Sequence, residues 1–290
     1  MKYLFISDHA HEHSIVLMCK VLNVSRSGYY NFGKHIVGDR ERANVRLLEQ
    51  IKAVHEASRR NYGSPRIYQA LKAMGVSCGR HRVARIMAKE GVVAKVGRRF
   101  RVTTRAREGA VVAPDLLKRK FTAERPHQVW VSDITYIWTI EGWLYLAAIL
   151  DLFSRAIVGW ATSARIDADL VCTAFRRAVD RFQPLSPVIF HSDRGSQYTG
   201  GKFRALLQAQ PIPFIQSNGL SCYDNAVAES LFHTIKTEST DSELFDTRAA
   251  GHDHLFDYIE VFYHQQRLHS SIGYITPMQK LQEINQKNVA

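Results

Sequence analysis

The sequence predicts an α/β protein with a mixed five-stranded sheet flanked by helices, preceded by a small all-α region. After about residue 121, runs of β-branched and aromatic residues first follow one another directly and then alternate with amphipathic segments. That order is typical of a mixed sheet with covering helices. Before residue 121, apolar residues recur at helical spacing in a strongly basic background. An apolar content of 46% over 290 residues suffices for one large domain or two to three small ones.

Residues 1–94 are expected to form helices only. The apolar pattern indicates helical segments that begin near residue 14 and cover 40–58, 66–74 and 80–89. Gly75 separates the last two helices, so the pair is compact enough for a DNA-binding helix-turn-helix. The second helix carries four candidate DNA contacts, which are Arg80, Arg82, Arg85 and Lys89. A small helical bundle with an ordinary solvated basic surface is the alternative.

The net charge of +12 is unevenly distributed along the chain. Basic residues are concentrated before residue 121, whereas residues 121–290 contain more acidic than basic side chains. This asymmetry predicts that one half holds a polyanion and the other acts on it. Residues 95–122 are a predicted basic linker, in which Arg98, Arg99 and Arg101 would follow a DNA backbone. A flexible solvated tether is a compatible interpretation of the same segment.

The composition also excludes several classes of protein. No stretch approaches the roughly 18 consecutive apolar residues that a membrane helix needs, and the first 13 residues make a poor signal peptide. The four cysteines are widely spaced without a CxxC pair, which favours reduced thiols in a cytosolic protein. We therefore expect a cytoplasmic protein with no membrane partner.

The second half is expected to alternate strands and helices. The predicted strands cover 128–138, 142–154, 156–164, 187–192 and 213–217. The predicted helices cover 167–183, a segment near 200–209, the segment around Glu229 and an aromatic-rich part of 246–284, which ends in a turn-rich stretch. Trp130, Tyr136 and Trp143 are expected to be core aromatics rather than surfaces for base stacking.

Three carboxylates on these elements form a candidate metal site. Asp133 lies in the alternating run VWVSDITYIW, Asp193 follows the apolar run PVIFHS, and Glu229 lies on the helix 36 positions later. Strand ends can bring the two aspartates together, and the helix would supply the glutamate. Oxygen ligands of this kind suit two Mg²⁺ or Mn²⁺ ions better than zinc. Ordinary surface or capping roles are the alternative for each acid.

Residues around the three acids are given weaker interpretations. Lys236 falls on the same side of the helix as Glu229, where it would contact an adjacent phosphate. His191 and Arg194 would orient Asp193, touch phosphate or serve packing. Asn225 is expected to cap the helix of Glu229 rather than contact the site.

The stretches WVSDITYI, HSDRGSQYT and CYDNAVAESLFHTIKTE resemble the catalytic core of bacterial insertion-sequence transposases of the retroviral-integrase type. More closely, the chain resembles the second-reading-frame (orfB) product of copy-out-paste-in elements from about residue 14 onward. The family's acidic (DDE) triad falls on Asp133, Asp193 and Glu229, and its basic residue falls on Lys236. The resemblance implies an RNase H-like integrase core over 123–290 with a C-terminal helical extension. It further implies Mg²⁺ dependence and strand cleavage and transfer at element ends.

The resulting hypothesis is a DNA transposase, a polynucleotidyl transferase that works on element ends and target DNA. A nuclease of the same fold and a non-catalytic DNA-binding regulator of transposition are the alternatives. Expected partners are DNA, further copies of the chain in a dimer or higher oligomer, and the upstream-frame product. The expected location is the bacterial cytoplasm, associated with the nucleoid. Residues 218–221 depart from the family's Ser-Arg-Lys-Gly-Asn lead-in and lack its basic side chains.

Overall fold

A computed structural model describes residues 1–33, 38–96, 113–219 and 222–287 of the chain. Within these ranges, the N-terminal part contains six helices. They are α1 (Lys2–Asp8), α2 (Ile15–Val21), α3 (Arg26–Gly33), α4 (Asp39–Ala57), α5 (Ser64–Ala73) and α6 (Arg80–Lys89). The first three pack around a small apolar cluster of Ile6, Met18 and Cys19. Helix α1 was not predicted from the sequence.

Helices α4, α5 and α6 form the compact unit that the spacing of apolar residues predicts. Their inward faces bury Leu47, Ile51, Ile67, Leu71 and Val83 in one cluster. The turn between α5 and α6 needs a left-handed residue, and Gly75 supplies it with a φ of +78°. The predicted helix pair and its glycine turn are therefore confirmed.

The sheet has five strands in the order β3-β2-β1-β4-β5. They are β1 (Val129–Thr139), β2 (Gly142–Asp151), β3 (Ile157–Ser163), β4 (Val188–Ser192) and β5 (Phe214–Asn218). The first three are antiparallel neighbours, whereas β4 and β5 run parallel to β1. The predicted mixed five-stranded sheet is thus confirmed. Strand β2 ends earlier than predicted because the buried carboxylate of Asp151 accepts hydrogen bonds from the N–H and Oγ of Ser154 and closes a turn.

Helices cover both faces of the sheet. They are α7 (Ala168–Phe182), α8 (Ser196–Thr199), α9 (Gly201–Gln208), α10 (Ala226–Ile235), α11 (Arg248–Phe256) and α12 (Pro277–Lys287). Helix α7 packs on one face and buries Phe175 against Trp130. Helix α10 packs on the other face, where Leu231 and Ile235 meet Ile137. The predicted turn-rich end contains a 3₁₀ turn at Ser270–Ile272, but α12 follows it. In the ranges that the structure describes, every helix is too short or too polar to cross a bilayer.

The N-terminal helices share a core with the C-terminal extension. The cluster of α4, α5 and α6 continues into Tyr258, Ile259 and Phe262 of a π-helical segment, Asp257–Tyr263, that follows α11. The hydroxyl of Tyr62 accepts the N–H of Leu268 at 2.7 Å and donates to the carbonyl of Gln266 at 3.0 Å. The predicted domain boundaries at 94/95 and 122/123 remain predictions; the structure adds that the flanking regions pack together.

A buried ion pair lies at the centre of this contact. Glu238 belongs to a π-helical segment, Lys236–Thr240, that continues α10, and its carboxylate accepts two hydrogen bonds of 2.7 Å from the guanidinium of Arg267. Tyr258 donates to the same carboxylate at 2.9 Å, and Arg66 of α5 approaches it at 3.3 Å. Burial lowers the pKa of Arg267, but the hydrogen bonds and charge of Glu238 outweigh that effect and raise it. The pair therefore joins α10, α5 and the C-terminal extension.

Replacing Glu238 by alanine should destabilise the protein strongly, because it leaves the buried Arg267 without a counter-charge. We expect a loss of about 3–5 kcal/mol in the free energy of unfolding, measured by urea denaturation. The matched control is Glu56→Ala, which removes an exposed ion pair with Arg60 and should cost about 0.3–0.5 kcal/mol. Equal losses in the two variants would contradict the role assigned to Glu238.

Candidate active site

Strand register brings Asp133 and Asp193 together. Strands β1 and β4 are parallel and pair Ser132 with Ser192, so the next residues are Asp133, within β1, and Asp193, directly after β4. Parallel strands in register present equivalent residues on the same face, about 4.8 Å apart. Both aspartates are half-buried. The sequence-based expectation that strand ends would juxtapose these two acids agrees with this geometry.

The pKa of Asp133 is raised by burial and by the neighbouring carboxylates. Burial raises it most, the charge of Asp193 raises it further, and Glu229 adds a smaller contribution, so the pKa reaches about 8. A hydrogen bond of 2.7 Å from the N–H of Ile134 opposes the shift. Burial also raises the pKa of Asp193, opposed by a 3.0 Å hydrogen bond from the N–H of Gly195. Two carboxylates that share one half-buried site resist ionising together.

Glu229 approaches from a different element. It lies in the first turn of α10, which contacts β1, and burial raises its pKa. Its charge also contributes to the raised pKa of Asp133. In the described ranges, no group of three or more His, Cys, Asp or Glu side chains is close enough to hold a metal ion. The structure therefore brings the two aspartates together and leaves Glu229 near them without completing a three-ligand cluster.

The donor set fits a hard divalent cation. Asp133, Asp193 and Glu229 offer only carboxylate oxygens, and among the described residues no Lys, Arg or His forms an ion pair with any of them. Adjacent acids without a protein counter-charge are the arrangement that a bound Mg²⁺ or Mn²⁺ would neutralise. The type of ligand atom therefore suits such a cation, and the expected number of two ions stays a prediction.

His191 has a packing role rather than one on Asp193 or phosphate. Its Nε2 lies 2.9 Å from the carbonyl oxygen of Asp224 and must donate, so Nδ1 accepts the hydroxyl of Ser217 at 2.9 Å. Burial lowers its pKa, which favours the neutral ring. The imidazole thereby ties β4 to β5 and to the segment before α10. The predicted roles of Arg194 stay predictions: its buried Nε has no hydrogen-bond partner among the described residues.

Asn225 does not cap α10 as expected. It occupies the N-cap position, but its side chain makes no capping hydrogen bond. Instead its amide donates to the carbonyl of Ser132 at 3.3 Å, while its buried Oδ1 has no partner in the described part of the chain. The side chain is therefore directed to β1 and not to the first turn of its own helix. Asn225 therefore links the start of the Glu229 helix to β1.

The altered lead-in at 218–221 is partly explained by packing. The amide of Asn218 donates to the carbonyl of Asp193 at 3.0 Å and to Ser192 Oγ at 3.1 Å. A Cβ at Gly219 would lie 2.8 Å from that of Asp224, so the position requires glycine. These two residues brace the strand end that carries Asp193. Leu220 and Ser221 lie outside the described residues.

Tyr136 and Trp143 are not core residues, contrary to expectation. Trp130 is fully buried, but Tyr136 and Trp143 are exposed because the β1–β2 hairpin extends beyond α7. Lys236 lies with its Nζ 4.6 Å from the centre of the Tyr136 ring. Burial lowers the pKa of this lysine, and the charge of Asp241 opposes the effect. The structure thus places Lys236 beside the strand of Asp133.

A basic cavity of about 270 Å³ lies between α4 and α6. Three of the predicted DNA contacts, Arg82, Arg85 and Lys89, line it, whereas Arg80 lies at the exposed start of α6 outside this lining. Sequence reasoning missed Arg40 and Asn44, which α4 contributes from successive turns; Asn44 accepts the Nε–H of Arg82 at 2.9 Å. Arg98, Arg99 and Arg101 lie outside the described residues. The cavity can hold an anion such as a phosphate.

Comparisons with known proteins match both halves of the chain. Family models described as "Integrase core domain" match residues 123–214 and 229–281, and one described as "HTH-like domain" matches residues 42–100. The transposase InsF for insertion sequence IS3A of Escherichia coli (strain K12) is 37% identical over 292 residues, covering 100% of both chains. The insertion element IS600 uncharacterized 31 kDa protein of Shigella sonnei is 40% identical over 260 residues, covering 90% of this chain and 96% of that protein.

Solved structures resemble the chain only distantly. The catalytic core domain of BIV integrase matches 57% of this chain and 99% of its own length, at 17% identity and a TM-score of 0.39. A likeness at that TM-score adds nothing to the relationship that the sequence relatives establish.

The raised pKa of Asp133 predicts a pH-dependent effect of Asp133→Asn on stability. The unfolded carboxyl loses its proton near 3.8 and the folded one near 8. Between these values the folded state binds more protons, so its stability falls as the pH rises. In metal-free buffer, the melting temperature of Asp133→Asn should exceed that of the unaltered protein by a margin that grows from pH 5 to pH 8. The exposed Asp180→Asn should show no such trend, and a constant margin for Asp133→Asn would refute the shift.

Proposed function

The chain belongs to the IS3 family of insertion-sequence transposases, and we propose that it cleaves and joins DNA strands at the ends of such an element with the help of Mg²⁺. Its relationship to InsF extends over the full length of both chains. The observation that carries the finer proposal is the adjacency of Asp133 and Asp193, set by the register of β1 and β4.

Asp133, Asp193 and Glu229 would hold the divalent ions. Once bound, such ions activate an attacking water or hydroxyl group and stabilise the leaving oxygen of an in-line displacement at phosphorus. The protein's own contribution is to fix the two aspartates on paired strands and to bring Glu229 on a helix braced by Asn225. Binding of cations would also release the proton that the raised pKa holds on Asp133 at neutral pH.

The N-terminal helices would hold the DNA. The cavity between α4 and α6 places three guanidinium groups and Lys89 around a space large enough for a phosphate. Lys236 would contact a phosphate nearer the carboxylates. Since strand transfer joins two DNA ends, we further propose a dimer or higher oligomer on DNA, together with the upstream-frame product, in the bacterial cytoplasm and nucleoid.

Replacing Asp193 by asparagine should abolish chemistry and spare DNA binding. The substitution keeps the shape of the side chain but removes the charge that a divalent ion needs. Labelled DNA carrying the ends of the encoding element, incubated with Mg²⁺, should be cleaved and joined by the unaltered protein and remain intact with the variant. Asp180→Asn, on the exposed face of α7, is the matched control and should retain activity.

The same assay separates the alternatives. Binding without metal-dependent chemistry in the unaltered protein would identify a regulator instead of an enzyme. Hydrolysis without joining would identify a nuclease of the same fold.

Replacing Arg85 by alanine should weaken DNA binding in a salt-dependent manner. One lost phosphate contact reduces the slope of log K against log salt concentration by about 1 and weakens binding to all sequences alike. Fluorescence anisotropy across a salt series measures the slope. Lys72→Ala removes one exposed charge from α5 outside the cavity and should leave the slope unchanged. Identical slopes for the two variants would exclude the cavity as a phosphate site.

A further inference from the structure

Three exposed aromatic side chains form a continuous surface at the tip of the β1–β2 hairpin. Tyr136, Trp138 and Trp143 are 41%, 52% and 43% exposed, and we call them the hairpin aromatic face. Trp138 pairs across the strands with Trp143, with ring centres 4.8 Å apart, and Tyr136 lies 5.0 Å from Trp143. The other two tryptophans, Trp130 and Trp160, are buried. A contiguous exposed patch of this kind marks a contact surface.

The hairpin aromatic face lies close to the carboxylates along β1. Tyr136 follows Asp133 by three residues, a separation of about 10 Å in an extended strand. That is the length of about three stacked nucleotides of one DNA strand. A DNA strand whose phosphate lies at Asp133 therefore has neighbouring nucleotides within reach of the aromatic rings.

Lys236 connects the two surfaces. Helix α10 packs on the sheet face that carries Asp133, yet the Nζ of Lys236, which directly follows α10, lies over the ring of Tyr136, whose side chain belongs to the opposite face. It can do so because β4 pairs with β1 only as far as Ser132, which leaves the edge of β1 beyond that residue uncovered by β4. The cation thus lies at the edge that separates the carboxylates from the hairpin aromatic face.

The chemistry of this face matches an unpaired nucleotide. A nucleotide joins a flat π surface to an anionic phosphate, and the face offers flat rings beside an ammonium group. Bases within a duplex are stacked on one another, so only an unpaired base can present its face to the protein. We propose that the hairpin aromatic face stacks unpaired bases of the DNA strand that passes the carboxylates. This inference rests on the proposed function.

The test uses the full-length chain in EDTA with three labelled probes. They are a blunt duplex, the same duplex with a short unpaired tail, and the same tail built from abasic nucleotides. The base-bearing tail should bind about 5- to 100-fold more tightly than the abasic one, because the phosphates are the same and only the bases differ. Tryptophan fluorescence should be quenched by the base-bearing tail, since Trp138 and Trp143 are the exposed tryptophans.

Two double variants make the test decisive. Replacing Trp138 and Trp143 by leucine keeps apolar surface but removes the rings, so the advantage of the base-bearing tail should disappear. Replacing both by phenylalanine should restore most of it. Tyr30→Ala, which removes an exposed aromatic ring from α3, is the control and should keep the advantage.

Other outcomes overturn the proposal. Equal affinity of the unaltered protein for the base-bearing and abasic tails excludes base stacking. A change of mass in solution on replacing both tryptophans by alanine, with no change in tail preference, assigns the face to contact with a second copy. Because the assay contains no metal and measures no chemistry, a failure of strand cleavage would leave its result intact, and the two proposals can fail separately.

Discussion

The parallel pairing of β1 with β4 is the constraint on which the candidate site depends. It ends at Ser132 and Ser192, and this end point makes Asp133 and Asp193 neighbours. Further hydrogen bonds extend outward from it: His191 ties β4 to β5 and to Asp224, and Asn225 ties the Glu229 helix to Ser132. A shift of one residue in the register would turn one aspartate to the other face of the sheet. The geometry of the acids is therefore fixed by backbone pairing.

The site is held in an electrostatically unfavourable state. Burial and mutual repulsion raise the pKa of Asp133 to about 8, and within the described ranges no basic side chain forms an ion pair with the acids. Elsewhere the protein does pair buried charge, as Glu238 does with Arg267. Asp133 and Asp193 therefore differ from Glu238, whose buried charge has a basic partner. Replacing Asp133 by asparagine should therefore gain stability at neutral pH, because the side chain no longer takes up a proton on folding, while it removes a carboxylate proposed to bind a cation.

Much of the fold follows from the sequence because its periodicity is strong. Alternating and buried runs predict all five strands, and helical spacing predicts α4 to α7 and α10. The errors arise where tertiary packing decides. Tyr136 and Trp143 are large aromatic residues of a kind that is usually buried, but the hairpin extends past α7. The local sequence of a strand does not indicate where the helix that covers it ends. Asparagine is a common N-cap residue, yet the side-chain amide of Asn225 donates its hydrogen bond to the carbonyl of Ser132, 93 positions away.

The long-range contacts of Glu238 could not be predicted from the sequence either. They connect α5, which packs against the helices that line the basic cavity, to the helical run that carries Glu229. Glu238 follows Glu229 by nine residues on a continuous helical run, and its carboxylate meets Arg267 and, from α5, Arg66. Helix α5 in turn packs against α6, which lines the basic cavity. A shared buried core surrounds this connection, so α6 cannot rotate independently of α10 without exposing apolar surface and a buried charge. DNA held in the cavity would therefore keep a fixed position relative to the helix that carries Glu229.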